Sequence, residues 1–70
     1  MSTFNYNDLS TADKFEYLAV KLTQHMNTNN VLKVVNYWTL VIRLPYKEAP
    51  KELLPVFSDA KKFIKKELLL

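Results

Sequence analysis

The sequence predicts an all-α protein, a small three-helix bundle forming one domain over residues 1–70. Three observations carry this. The chain contains no glycine, and the tight turns of β-hairpins favour glycine at positive φ. Its first and last thirds carry apolar residues at helical spacing. The central run VLKVVNYWTLVIRL, residues 31–44, has only four polar side chains, Lys33, Asn36, Thr39 and Arg43. At about 100° per residue these fall in one sector about 120° wide. A strand would split them between faces, and a strand of this length would be long against the usual mode of about 5–6 residues.

Residues 1–9 read as an N-terminal arm, which Phe4 and Tyr6 either pin to the body or leave flexible. A first helix is expected at 10–26. Ser10 is its N-cap, and Asp13, three residues on, completes a weak capping box. Asp13 and Glu16 suit the positive end of the helix dipole. Phe15, Leu18, Ala19, Leu22 and Met26 make the inward stripe, with Tyr17 and Val20 on a flank. NTNN follows, and Asn and Thr favour turns and caps over helix interiors. The second helix is expected at 29–44, capped by Thr28 or an adjacent asparagine. Pro45 ends it by disfavouring the α region at Leu44.

The stretch 45–55 contains three prolines and reads as an interrupted connector. Pro50 suits the first turn of a short helix through Leu54, and Pro55 restarts another. The third helix is expected at 55–69. Val56, Phe57, Ala60, Phe63, Ile64 and Glu67 or Leu68 face inward, while Ser58, Lys61, Lys62, Lys65 and Lys66 face out.

Composition narrows the chemistry. There is no cysteine, and His25 is the only histidine, so neither disulfides nor a usual structural zinc set can form. No phosphate-binding glycine loop is available. The carboxylates Asp8, Asp13, Glu16, Glu48, Glu52, Asp59 and Glu67 are scattered, with no paired acid and base in view. His25 is assigned a surface or capping place at a helix end. The expectation is a protein without catalytic activity, metal or cofactor. The polar start MSTFNYNDLS has no signal-peptide pattern, and no run reaches the roughly 20 apolar residues that span a bilayer. A soluble cytoplasmic protein is therefore expected.

A domain of this size buries only about 60% of the surface of its unfolded chain. The central helix nevertheless has an apolar arc of about 240°, more than one neighbour covers. Surplus apolar surface points to a partner protein, with dimerisation as one way to complete the bundle. The partner-binding residues expected are Tyr37, Trp38, Leu40, Leu44, Leu68, Leu69 and Leu70, with Arg43 as a polar rim. Of these, Tyr37, Leu40 and Leu44 are expected to be left uncovered, and Trp38 to anchor either the core or the interface. The alternative is a nucleic-acid-binding protein using Lys61, Lys62, Lys65 and Lys66, in keeping with a net charge of +3. Arg43 is the sole arginine, which weighs against base readout.

Overall fold

The computed structural model describes residues 4–68. It is a three-helix bundle: α1 (Thr11–Asn27), α2 (Val31–Ile42) and α3 (Leu54–Leu68), with no strand among the described residues. Position 69, the expected end of the last helix, lies outside them.

The first two helices begin where local chemistry supplies a cap. The Asp13 backbone N–H donates to the Ser10 hydroxyl at 3.2 Å, which satisfies one of the orphan donors of α1. At the other end of α1, the Asn29 N–H donates to the Met26 carbonyl and the Asn30 N–H to the His25 carbonyl. This paired pattern is a Schellman closure, which needs a left-handed residue between the two helices. With no glycine in the chain, Asn29 takes that place at φ 54°. Asparagine tolerates the region better than other residues that carry a Cβ. Its neighbour Asn30 then caps α2, its side-chain oxygen accepting from the Lys33 N–H at 3.3 Å. Two adjacent asparagines thus stop one helix and start the next. Their use in the turn is why α2 begins at Val31 and not at 29.

At its far end α2 stops at Ile42, two residues short of the expected Leu44. Arg43 caps it, and the Leu44 N–H turns back to the Val41 carbonyl at 3.0 Å. The connector holds two short 3-10 turns, Tyr46–Glu48 and Lys51–Leu53. The second runs straight into α3 at Leu54, so the expected short helix from Pro50 and the restart at Pro55 are one continuous path. Pro55 is the second residue of α3, in a first turn, where a helix accommodates proline.

The core is wholly apolar. Phe15, Leu18, Ala19 and Leu22 of α1 meet Val34 and Val41 of α2 and Phe57, Ala60 and Ile64 of α3. Met26, Val56 and Phe63, also expected inside, are half-buried around them, whereas Glu67 and Leu68 are exposed. Among the described residues of the arm, Phe4 and Tyr6 lie against α1. Phe4 stacks on Tyr17 with centroids 4.9 Å apart, Tyr6 lies 5.9 Å from the same ring, and the Lys14 ammonium sits 5.3 Å from the Tyr6 centroid. Burial raises the Tyr6 phenol above its ordinary pKa. Burial, and after it the neighbouring Tyr37, do the same to Tyr17.

The expected surplus on α2 exists, but on different residues. Tyr37, Leu40 and Leu44 are half-buried against the core, while Leu32 is 78% and Ile42 61% exposed. Val34 and Val41, seven residues apart, fix the buried face. Leu32 lies about 160° from Val34 around the axis, in the same sector as Asn36, Thr39 and Arg43.

Candidate functional site

The two flanks of α2 are covered unequally. On one flank Tyr37 is enclosed by α1: its ring lies face to face with His25 at 5.5 Å and edge-on to Tyr17 at 6.4 Å. His25 is half-buried in this stack at the last turn of α1. On the other flank Val31, Val35, Trp38 and Ile42 follow at i, i+4, i+7 and i+11, a second apolar stripe. Val31, Val35 and Trp38 are only half-buried, and Ile42 stands clear of the core.

An open cleft of about 410 Å³ lies along that stripe, between α2 and α3. Trp38 and Ile42 form one wall, Phe57, Ser58 and Lys61 the other, and Tyr46 closes one end. Phe57, fully buried behind that wall, is a hub of the core. Its ring is 5.9 Å from Phe15, 6.5 Å from Trp38 and 6.0 Å from Tyr46, centroid to centroid, all tilted. Pro45 turns the chain back after α2, which brings Tyr46 over Phe57. Among the described residues, Lys61, its ammonium on a long apolar stem, is the only cationic side chain lining the cleft, and no carboxylate lines it.

The residues expected from sequence therefore separate. Trp38 lines the cleft, while Tyr37 is on the α1 side. Leu40 and Leu44 are half-buried, Arg43 is exposed at the helix end, and Leu68 is 45% exposed at the end of α3. Leu69 and Leu70 lie outside the described residues. Ile42, Tyr46 and Phe57 complete the cleft and were not singled out as binding residues. The i+4 spacing of Trp38 and Ile42 was the signal available for the first of them. Lys61, Lys62, Lys65 and Lys66 are all exposed, as expected, with Lys61 and Lys65 one turn apart on the side of α3 nearer the cleft.

A second, flatter depression of about 460 Å³ lies between α1 and the start of α3, lined by Glu16, Ala19, Val20, Thr23, Gln24, Leu53 and Val56. Every carboxylate side chain of the described residues is exposed, and no three potential metal ligands gather among them. No described helix is long and apolar enough to cross a membrane. No protein-family model, curated protein or solved structure matches the chain.

Proposed function

We propose that this is a non-catalytic interaction or regulatory protein of the cytoplasm, which acts by burying apolar helix surface against a partner protein. The observation that carries the reading is the aromatic cleft between α2 and α3, open along one side and edged by the exposed Ile42. Apolar concavities with a few polar groups at the rim are where proteins bind ligands and each other. A second copy of the chain is one partner of this kind. The second reading, nucleic-acid binding through Lys61, Lys62, Lys65 and Lys66, is favoured by their common exposure on α3.

Salt and a single substitution separate the two. Affinity capture with the purified chain is expected to retain a protein at high salt and to lose it with Ile42→Gln. Phosphate contacts weaken steeply as salt rises, because counterions are released on binding. Capture that salt or nuclease abolishes, and that Ile42→Gln leaves intact, would favour the nucleic-acid reading. Light scattering over a concentration series reads self-association directly, with growth in mass lost in Ile42→Gln as the expected signature if the partner is a second copy.

A further inference from the structure

We infer that the α2–α3 cleft docks an acidic amphipathic helix of another protein, seating its apolar anchors on Trp38, Ile42 and Tyr46 and its carboxylates on Lys61 and Lys65. This rests on the reading of the cleft as an interaction surface and adds the chemistry of the occupant.

The shape of the site excludes one common mode. No sheet edge exists among the described residues, so a partner has no strand there to pair with and must bind through side chains. A volume of about 410 Å³ holds a few side chains and not a whole helix. The occupant therefore lies across the mouth and inserts anchors, as helices do in grooves at i, i+3 or i+4, and i+7. The rings of Trp38 and Tyr46 suit this, since aromatic side chains supply large contact area at little cost in side-chain entropy.

Charge selects among such helices. Lys61 lines the cleft with no opposing carboxylate in its walls among the described residues, and Lys65 continues the same column one turn on. The chain carries a net +3. An approaching helix rimmed with Asp or Glu is attracted and oriented, and one rimmed with Lys is repelled. A second copy is a poorer fit. It could present Phe4, Val20, Leu32, Ile42, Leu54 or Leu68, all exposed, but a chain of net charge +3 brings like charge toward Lys61 and Lys65.

Trp38 is the only tryptophan and lines the cleft, so its emission reports occupancy. The probes are a synthetic helical peptide with leucines at i, i+4 and i+7 flanked by glutamates, and its twin with lysines in their place. The glutamate peptide is expected to give a saturable blue shift, with the lysine peptide roughly tenfold weaker. Lys61→Glu should reverse that order, and Ile42→Gln should weaken both. Both positions are exposed, and circular dichroism checks that each variant keeps its helices. Equal binding of the two peptides, unchanged by Lys61→Glu, would overturn the charge assignment while leaving an apolar interaction surface in place. A blue shift on concentrating the protein alone would give the cleft to a second copy. A shift with duplex DNA as large as with the glutamate peptide would make it a polyanion surface. No shift with either peptide would also overturn the inference, and the capture experiment above then decides the broader reading separately.

Discussion

Phe57→Ala is expected to leave the chain largely unfolded at room temperature. Phe57 is fully buried and is the ring on which Phe15, Trp38 and Tyr46 converge. Truncating a buried phenylalanine costs about 3–5 kcal/mol, through lost transfer energy and the cavity left behind. A single core in a chain of this length supplies only about 3–5 kcal/mol in total. The loss therefore matches the whole stability. Far-UV circular dichroism and urea denaturation check it. Phe63→Ala, half-buried on another face of α3, is expected to lower the midpoint by less and to stay folded. A near-native midpoint for Phe57→Ala would mean that the aromatic hub does not hold the helices together.

Val34→Asp and Leu32→Asp are expected to differ more than any other pair two residues apart. Val34 is fully buried and Leu32 is 78% exposed. A carboxylate at position 34 must either desolvate or take up a proton in an apolar core, and either route costs several kcal/mol. At position 32 the same group meets water and lies in the first turn of α2, where the helix dipole favours a negative charge by a few tenths of a kcal/mol. Val34→Asp should abolish the cooperative transition, whereas Leu32→Asp should leave it within about 0.5 kcal/mol. In a strand these two side chains would share a face, so equal damage at both positions would contradict the helical register of α2.

The helices were legible because their stripes are local. Phe15, Leu18 and Leu22 sit at spacings that only a helix brings together, and Phe57, Ala60 and Ile64 do the same. The turn after α1 was legible in composition and not in detail. NTNN announced a break, but which asparagine takes the left-handed position follows from two backbone bonds back to His25 and Met26. The covered side of α2 was the least accessible. A helix apolar over most of its circumference gives no preferred inward direction, so Tyr37, Leu40 and Leu44 were expected to be uncovered and Ile42 was not. Tyr37 is sheltered by His25 and Tyr17 across the bundle. The cleft likewise needed Tyr46 folded back over Phe57 after Pro45, a contact between residues eleven apart that no periodicity encodes. Trp38, poised between core and interface in the sequence, is half-buried in the structure. It packs near Phe57 and lines open space.

The claim on which all of this depends is that α1 and α3 leave the Ile42 side of α2 uncovered. Urea denaturation of Ile42→Gln, followed by circular dichroism, tests it most directly. Glutamine suits a helix, and at an exposed site the change should move stability by no more than about 0.5 kcal/mol. A loss of several kcal/mol would show that the chain's own side chains enclose Ile42, and no open cleft would then exist to receive a partner.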